Sequence, residues 1–489
     1  MQRLSAISVE RHDCDIIQDA VRRYYRLVFL NANSNEDLTA PSGYANTQFP
    51  RNDEHFGGYL DTLRVHLMAP CKQYPSEYMD ERYEIFINSD GYERSGLLVA
   101  QSVWGILRGL ETFSQLVHSV NGYKFAIRSL SLLDFPAFSH RGLLIDTSRH
   151  FLPVKTITRI LDAMTYSKLN VLHWHMTDDQ SFPFESTTYP ALGDRGAYNK
   201  YFAIYTHSDI EQIIEYARKR GIRVIPEFDT PGHTLSWGLG MPGLLTKCGD
   251  PHLGEYGPID PTRESNYIFL ENLFKEIAEL FPDNYFHLGG DEVNFDCWNS
   301  SPEIRSFMRY HNITSFQELE SYYIQRVLAI TRNLNTKPVV WQEVFDNGVR
   351  LTDDAVVHVW QLESYEAEMD LVTKSGHRAL LSACWYLDHL DRGWQKFYEC
   401  NPLDYVHSIA QRRYIMGGEA CMWGESVDES NIEQRIWPRA CATAEILWTG
   451  YASSDAANRL EEHTCRLKKR GIPAQPPNGP GFCPYFIKI

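Results

Sequence analysis

From about residue 140 onward the chain repeats one pattern, in which a short apolar run is followed by a segment with helical periodicity. Eight such runs occupy residues 142–146, 170–175, 223–228, 285–289, 338–342, 355–360, 378–382 and 414–418. Short apolar strands that alternate with amphipathic helices are typical of βα units in a parallel sheet. Eight units over roughly 350 residues predict an α/β fold, a (β/α)8 TIM barrel with loop insertions.

The segments between the runs carry helix signals. One predicted helix has apolar residues at helical spacing, and another has Ser208 and Glu211 at the spacing of a capping box, with Gly221 to close it. A doubly wound open sheet is the alternative to a barrel. That fold would normally show a phosphate-binding turn, and the chain contains no Walker loop.

The residues before Pro136 form a different pattern. Helical spacing begins at Ile16, alternating strand-like segments follow at 63–68 and 83–87, and a second helix pattern covers 103–110. No catalytic constellation is visible in this part. We therefore predict a smaller α+β domain, a sheet covered by helices, at residues 1–135, and the catalytic barrel with a C-terminal extension at residues 136–489.

Charge and hydropathy exclude two classes of function. The net charge is −16, and an acidic surface repels the phosphates of nucleic acids. No window approaches the roughly 18 consecutive apolar residues of a membrane-spanning helix. Aromatic residues make up 13% of the chain. They suit either a sugar-binding cleft or an aromatic core, and composition alone favours the core.

Polar and aromatic side chains recur where the predicted strands end. In a parallel barrel the carboxyl ends of the strands meet at one face, where active sites lie. Any single polar strand end has an ordinary structural explanation, but recurrence over eight strands predicts a catalytic mouth. The residues concerned are Asp146, His175, Asp178, Asp179, Glu227, Asp229, His233, Asp291, Glu292, Trp341, Trp360, Trp385, Tyr386, Asp388, Trp423 and Glu425.

The pair Asp291–Glu292 follows Gly289 and Gly290 at the end of the fourth run. Adjacent carboxylates repel each other, and this repulsion with partial burial would raise the pKa of one of them. A protonated acid would then stand beside an ionised base, as general acid catalysis requires. The structural alternative is a solvated loop pair, but the two glycines permit the close backbone approach of a built site.

Other chemistries find less support. Trp341, Trp360 and Trp423 would wall an apolar pocket or, alternatively, pack against the outer helices. A metal site is the main rival, because His173 and His175 point to one face of a strand and His358 and Asp291 are available as further ligands. Later strand ends offer tryptophan where a metal enzyme would offer histidine, so no metal is expected. No G-x-S-x-G elbow is present for a serine nucleophile.

Five motifs together resemble family 20 glycoside hydrolases, and within that family the animal lysosomal β-N-acetylhexosaminidases. They are HRGLLIDTSRH at 140–150, NVLHWHMTDD at 170–179, EFDTPGHT at 227–234, HLGGDEV at 287–293 and GEACMWGE at 418–425. The resemblance extends from about Cys14 to the C-terminus and includes the N-terminal domain.

The resemblance implies a reaction in which the enzyme supplies no nucleophile and needs no cofactor. The 2-acetamido oxygen of a terminal β-linked GlcNAc or GalNAc attacks C1, forms an oxazolinium ion and gives net retention, a known exception to the two-carboxylate scheme. Glu292 would protonate the leaving oxygen and later activate water. Asp291 would orient the acetamido N–H, and Tyr386 would hydrogen-bond the acetamido oxygen.

The same resemblance assigns the remaining site residues. Tryptophans 341, 360 and 423 would enclose the acetyl group, Arg141 and Glu425 would bind ring hydroxyls, and Asp178 and His233 would support Glu292. In related enzymes an acidic residue two positions after the tyrosine accompanies neutral substrates. Asp388 would therefore repel a 6-sulfate, whereas His389 fits neither known pattern and could be cationic at lysosomal pH. Two other classes stay open: a non-catalytic glycan-binding relative and a metal-dependent deacetylase.

Cysteines and sequons bear on the compartment. The resemblance implies disulfides Cys14–Cys71, Cys248–Cys297 and Cys465–Cys483, leaves open a bridge between Cys384 and Cys400, and implies that Cys421 and Cys441 are free. Asn312 and Asn299 begin glycosylation sequons, the second followed by the disfavouring Pro302. Disulfides require an oxidising compartment, so a lysosomal or secreted protein with a trimmed N-terminus is expected, although no apolar signal segment is visible. The family pattern also implies a homodimer acting on oligosaccharides, glycoproteins or glycolipids.

Overall fold

The computed structural model describes residues 6–29, 60–88, 94–119 and 125–483. Its strands are Ala6–Arg11 (β1), Thr62–Leu67 (β2), Tyr83–Ile87 (β3), Ser95–Ala100 (β4), His118–Ser119 (β5), Phe125–Ala126 (β6), Leu130–Asp134 (β7), His140–Asp146 (β8), Val171–Thr177 (β9), Arg223–Phe228 (β10), Leu245–Lys247 (β11), Tyr256–Ile259 (β12), Tyr285–His287 (β13), Lys337–Trp341 (β14), Val356–Val359 (β15), Arg378–Leu381 (β16) and Ile415–Met422 (β17).

The α-helices are Asp15–Phe29 (α1), Val103–Leu116 (α2), Val154–Tyr166 (α3), Ala191–Gly196 (α4), His207–Arg218 (α5), Leu235–Gly240 (α6), Glu264–Leu280 (α7), Phe295–Ser300 (α8), Pro302–His311 (α9), Phe316–Asn333 (α10), Gln342–Asp346 (α11), Tyr365–Lys374 (α12), Trp394–Tyr398 (α13), Ile409–Arg412 (α14), Ile432–Ile436 (α15), Arg439–Thr449 (α16) and Ala456–Lys469 (α17). Short 3-10 turns occupy Pro251–Leu253, Ala383–Trp385 and Pro402–Tyr405. No helix among the described residues is long and apolar enough to cross a bilayer.

Eight parallel strands close into a barrel in the order β8, β9, β10, β13, β14, β15, β16 and β17, after which β17 pairs with β8. The predicted (β/α)8 barrel is therefore confirmed. Strand β13 ends earlier than predicted, because Gly289 and Gly290 adopt φ angles of 69° and 100° that leave the strand conformation. Strand β17 is longer than predicted, because its second half buries the polar Glu419, which interrupts the apolar pattern.

The N-terminal region forms a five-stranded mixed sheet in the order β1-β2-β4-β3-β7, packed with α1 and α2. The two helices bury their apolar faces in a core around Trp104, which Trp448 of α16 joins from the barrel. A smaller domain before the barrel is thus confirmed. Because β7 belongs to this sheet and β8 to the barrel, we propose the domain limits at 1–135 and 136–489.

One helix start differs from its prediction. Helix α5 opens with a capping box formed by Thr206 and Asp209, whose side chains satisfy each other's backbone N–H groups. The pair predicted from the sequence, Ser208 and Glu211, has the same spacing but lies two residues further along. Thr206 takes the extended backbone that an N-cap requires, and this decides between two equivalent patterns.

Candidate active site

The turn after β13 carries the acidic pair to the carboxyl face of the barrel. A Cβ atom on Gly289 would lie 1.7 Å from Oδ1 of Asp229, which accepts a hydrogen bond from the backbone N–H of Gly290 at 2.8 Å. Residue 289 must therefore be glycine, because any larger side chain would clash with the carboxyl of Asp229. The turn leaves Asp291 buried and Glu292 exposed to the mouth.

A histidine–aspartate pair stands behind Glu292. His233 Nε2 lies 3.5 Å from Oε2 of Glu292 and 3.7 Å from Oδ2 of Asp291. On its other side, His233 Nδ1 lies 3.2 Å from Oδ1 of Asp178. The structure thus brings together four of the predicted residues, which come from the ends of three different strands.

The pKa of one member of the acidic pair is raised, as expected, and that member is Asp291. Burial raises the pKa of Asp291, whereas the hydrogen bond to His233 lowers the pKa of Glu292. Burial and then the charge of Asp291 raise the pKa of Asp229 well above its usual range, so Asp229 carries the proton that it shares with Asp291. The raised pKa belongs to Asp291 and not, as an acid role for Glu292 would suggest, to Glu292.

His233 holds the proton that Glu292 would need in order to act as an acid. Burial alone would lower the pKa of His233, but the charge of Asp291 and hydrogen bonds to Asp178 and Glu292 raise it well above its usual range. The imidazole is therefore protonated beside an ionised Glu292. His233 Nε2 faces Glu292 across 3.5 Å, so the proton can reach Glu292 once the two groups close to hydrogen-bond distance.

Four aromatic rings pack into one cluster near the acidic pair. The ring centroids of Trp341 and Trp360 are 6.4 Å apart, those of Trp341 and Trp423 are 6.0 Å apart, and Tyr386 stacks on Trp360 at 6.0 Å. Leu144 and Cys421 complete this apolar cluster. Because the rings converge on one another at the mouth, the pocket interpretation is favoured over packing against the outer helices.

Hydrogen bonds fix two of these rings. Trp341 Nε1 donates to Oε1 of Glu227 at 2.8 Å, and Trp360 Nε1 donates to Oε2 of Glu343 at 2.8 Å. Burial raises the pKa of Glu343 to about 7. Sequence reasoning missed Glu343, which lies two residues after a predicted tryptophan at a strand end. It also lines a cavity of about 330 Å³ that adjoins Glu292 and Trp360.

Arg141 does not lie at the mouth, and the expectation that it binds substrate is wrong. It is the second residue of β8, so its side chain lies at the amino end of the barrel. The guanidinium is fully buried, donates to Oε1 of Glu81 at 2.6 Å and stands over the ring of Trp448 at 5.0 Å.

Arg149 occupies the place expected of Arg141. It follows the carboxyl end of β8, donates to Asp146 at 3.0 Å, lies 2.9 Å from Asp178 and stands over the Trp423 ring at 5.2 Å. Glu425 is 3.9 Å from its guanidinium. Both arginines belong to the motif at 140–150, and counting from the end of the strand would have selected the second.

The remaining mouth residues are Asp388 and His389, both half-buried, in the loop that follows Tyr386. Burial raises the pKa of Asp388, with a smaller opposing effect from His389. Burial also raises the pKa of the Tyr386 hydroxyl well above its usual range. The tyrosine therefore remains a hydrogen-bond donor at every pH at which the protein would work.

The two histidines considered as metal ligands, His173 and His175, each contact carboxylates. His173 lies between Glu419 and Glu227, and His175 lies between Glu227 and Asp178, each through both ring nitrogens. His173, His287 and His358 do approach one another. However, His173 and His287 stack face to face at 4.5 Å, whereas ligands of one ion must aim their nitrogens at a common point. This donor set does not fit a metal.

The structure contains four disulfides: the three that the resemblance implies, Cys14–Cys71, Cys248–Cys297 and Cys465–Cys483, and the fourth, Cys384–Cys400, that had been left open. Cys421 and Cys441 are free and buried. Asn299 and Asn312 are exposed, which leaves both sequons accessible, and their glycosylation stays a prediction.

Comparison with known proteins gives the family. The model of the glycosyl hydrolase family 20 catalytic domain matches residues 138–451, and a model described as beta-acetyl hexosaminidase like matches residues 2–116. The chain is 47% identical to beta-hexosaminidase subunit beta of Mus musculus, over 97% of this chain and 87% of the relative. It is 45% identical to beta-hexosaminidase subunit alpha of Rattus norvegicus, over 98% and 90% of the two chains.

Among solved structures, a chitobiase from Flavobacterium johnsoniae superposes with a TM-score of 0.82 at 28% identity, covering 96% of this chain and 70% of that one. A beta-N-acetylhexosaminidase from Streptomyces coelicolor, at 22% identity and a TM-score of 0.72 over 97% and 94% of the chains, shares the fold. With the matching domain models and the identity to animal subunits, this chain belongs to glycosyl hydrolase family 20 and is a glycoside hydrolase.

Proposed function

We propose that this protein is an exo-β-N-acetylhexosaminidase that releases terminal β-linked GlcNAc or GalNAc with retention, using the acetamido group of the substrate as nucleophile. The observation that carries the proposal is the aromatic pocket beside Asp291. Three indole rings and a phenol suit an acetyl methyl group, and a substrate-supplied nucleophile is a known alternative to a second carboxylate.

The proposed first step breaks the glycosidic bond. Glu292 receives the proton of His233 and passes it to the leaving oxygen, while the acetamido oxygen attacks C1 and closes an oxazolinium ring. Tyr386 holds that oxygen, and ionised Asp291 accepts the acetamido N–H and stabilises the positive charge. Attachment to the substrate gives this nucleophile a high effective molarity, which replaces an enzymic carboxylate.

The proposed second step reverses the role of Glu292. The carboxylate takes a proton from water, whose oxygen attacks C1 on the face that the leaving group vacated. The ring opens, the acetamido group is restored and the product keeps its β configuration. Arg149 and Glu425 would bind ring hydroxyls at the mouth. The negative charge of Asp388 supports a preference for neutral sugars over 6-sulfated ones.

The first experiment compares hydrolysis of an aryl β-N-acetylglucosaminide with that of the matching aryl β-glucoside from pH 4 to pH 8. Turnover of the acetamido substrate alone is expected, because the β-glucoside carries no nucleophile. Equal turnover of both substrates would require an enzymic nucleophile and would remove the roles given to Asp291 and Tyr386. Turnover of neither would favour a glycan-binding relative.

Two further properties belong to the proposal. Four disulfides support a lysosomal or secreted location, and so does the resemblance to animal lysosomal enzymes that implies three of them. A homodimer and independence from metals are also proposed. Light scattering on the purified protein tests the first, and unchanged turnover in a chelator tests the second and opposes a metal-dependent deacetylase.

A further inference from the structure

The barrel axis holds more ionisable side chains than the proposed chemistry uses. Seven of them are no more than 1% exposed: His140, His173, His175, Glu227, His287, His358 and Glu419. Buried charges are retained in proteins only where they are paired and hydrogen-bonded. The pairing of these seven therefore indicates which of them are charged and what they act upon.

Five of the seven form one continuous chain that begins at the base of the barrel. His140 Nε2 lies 2.5 Å from Oε1 of Glu419, and Oε2 of Glu419 lies 2.7 Å from Nδ1 of His173. His173 Nε2 then lies 3.0 Å from Oε2 of Glu227. The same Glu227 oxygen lies 2.6 Å from Nδ1 of His175.

The chain continues into the active site. His175 Nε2 lies 2.9 Å from Oδ2 of Asp178, whose Oδ1 faces Nδ1 of His233 at 3.2 Å. His233 Nε2 reaches Glu292 at 3.5 Å. Imidazoles and carboxylates thus alternate from the base of the barrel to the residue that the proposed function makes the acid and base, with charge contacts rather than hydrogen bonds at His173 Nε2 and His233 Nε2.

Charges alternate along this chain from Glu419 onward. At His140 burial prevails and lowers the pKa of the imidazole. In the other members the partners overcome burial: the pKa of His173 rises to about 9 and that of His175 to about 10, while the pKa of Glu227 and of Glu419 falls well below its usual range. His287 and His358 lie beside the chain, and burial lowers the pKa of both, so they are neutral.

We propose that Glu227 and His175 are positioning residues that set how one proton is divided between His233 and Glu292. This inference rests on the proposed function, in which Glu292 is the general acid. Neither residue needs to touch the substrate. Both act through Asp178, which faces an imidazole on each side.

The physical argument concerns the charge of Asp178. While His175 is cationic, Asp178 shares its negative charge between His175 and His233, so it holds the proton of His233 less tightly and Glu292 can receive it. Without the negative charge of Glu227, His175 has lost its main counter-charge and becomes neutral. Asp178 then keeps only Arg149 and His233 as cationic partners, so it holds the proton of His233 more tightly. Glu292 stays ionised and is a weaker acid.

Several other charged groups face these residues and remain in place. Glu227 also faces His173 and His287, and it accepts from the indole of Trp341. His175 faces Asp146 beyond its two hydrogen-bond partners. The groups around His233 and Glu292 are Asp178, Asp229, Asp291 and Arg149.

The test compares Glu227→Gln with the unaltered enzyme on two aryl β-N-acetylglucosaminides. Glutamine keeps an oxygen for Trp341 and removes only the charge. A phenyl leaving group needs acid assistance and a 2,4-dinitrophenyl group does not. We expect kcat to fall at least about tenfold for the phenyl substrate, a part of the usual general-acid contribution, and less than about threefold for the dinitrophenyl substrate, with KM unchanged. The alkaline limb of the phenyl pH profile should move to higher pH, because His233 holds its proton more tightly.

The matched control is His358→Gln, which alters an equally buried but neutral histidine of the same barrel layer. Its alkaline limb should not move. Equal losses on both substrates in Glu227→Gln, an unmoved limb, or an equal shift in His358→Gln would each overturn the inference. If the unaltered enzyme hydrolyses neither substrate, the proposed function has failed instead, and the chain has no acid catalyst to tune.

A second variant covers the case in which Glu227→Gln does not fold, as judged by its thermal unfolding. Glu419→Gln removes the charge two links further down, next to His173. His173 then loses its main counter-charge, Glu227 acts more fully on His175, and Asp178 holds the proton of His233 less tightly. The limb should therefore move the other way, to lower pH, by a smaller amount. A Glu419→Gln enzyme that is folded and has the pH profile of the unaltered enzyme would overturn the chain as a unit.

Discussion

The two ends of the barrel use the same kinds of side chain for different purposes. At the amino end, Glu81 accepts from Arg108 and Arg141, and all three are buried. At the carboxyl end, Arg149 contacts Asp178, His233 follows, and Glu292 is open to the mouth. Both ends are ionic clusters, but the side chains of Glu81, Arg108 and Arg141 are closed off from solvent, whereas Glu292 is open to solvent and substrate.

The base cluster holds two domains together. Glu77 and Glu81 come from the N-terminal domain, and they face the starts of the barrel strands: Lys337 contacts Glu77 at 2.7 Å, and Arg141 contacts Glu81. Every charge there has a fixed partner of opposite sign, so no proton can move without leaving a buried charge unpaired. At the mouth, His233 faces three carboxylates, and one proton can therefore change its position.

The largest effect is expected from a variant whose residue at the mouth can no longer accept and donate the proton. Glu292→Gln should lower kcat/KM on a phenyl β-N-acetylglucosaminide by about 10²–10⁴-fold, the usual contribution of a general acid and base. Its thermal unfolding midpoint should match that of the unaltered protein, because the Glu292 side chain is 61% exposed. A variant with nearly full activity would place the acid elsewhere, whereas a much lower midpoint would make Glu292 a structural residue like Glu81.

The next effect separates the two arginines. Arg141→Met leaves Glu81 buried with one cation fewer, so the free energy of unfolding should fall by about 3 kcal/mol, while the activity of the folded enzyme changes little. Urea unfolding followed by tryptophan fluorescence measures the first and kcat/KM the second. Arg149→Met is the matched variant: it should lose activity about 10- to 100-fold, as expected for hydrogen bonds to a charged group, with a smaller loss of stability. The reverse pattern would contradict the assignment of the two ends.

The arginine pair also shows how far the sequence could predict this molecule. The eight strands were predictable because fully buried parallel strands give continuous apolar runs. The mouth residues were predictable because strand ends converge on one face. Arg141 was misassigned because its role was carried over from the family motif, although the predicted strand at 142–146 already placed it at the amino end.

The charged barrel axis was less predictable for a different reason. His173 and His175 were visible as a pair on one strand, and a metal was the natural alternative interpretation. Glu419 follows a pair of glycines in β17, and that pattern gives no sign of a buried charge. Its Cγ lies 2.4 Å from the position that a Cβ atom on Gly142 would occupy. Only the closed barrel brings residues of β8, β9, β10 and β17 into one line. The pKa order of Asp291 and Glu292 likewise depends on His233 and Asp229, which are distant in the sequence.

The smallest expected effect concerns Asp388. Its carboxyl lies at the mouth, but it is half-buried and in that respect resembles the buried carboxylates at the base. Burial raises the pKa of this carboxyl, so it is neutral at the acid end of the range and ionised at higher pH. Repulsion of a 6-sulfate therefore appears as the pH rises. The ratio of kcat/KM for neutral over 6-sulfated aryl GlcNAc should increase between pH 4 and pH 7 by about fivefold, the effect of roughly 1 kcal/mol between two solvated charges.

Both substrates depend equally on the ionisation of the catalytic groups, so that dependence cancels in the ratio of their kcat/KM values. The change of the ratio with pH therefore reports only on the interaction with the sulfate. Asp388→Asn is the control: its ratio should be low and rise much less with pH, because the titrating carboxyl has been removed. A ratio that falls with pH in the unaltered enzyme would mean that Asp388 does not face O6 of the sugar, and that its charge, like that of Glu81, serves only the fold.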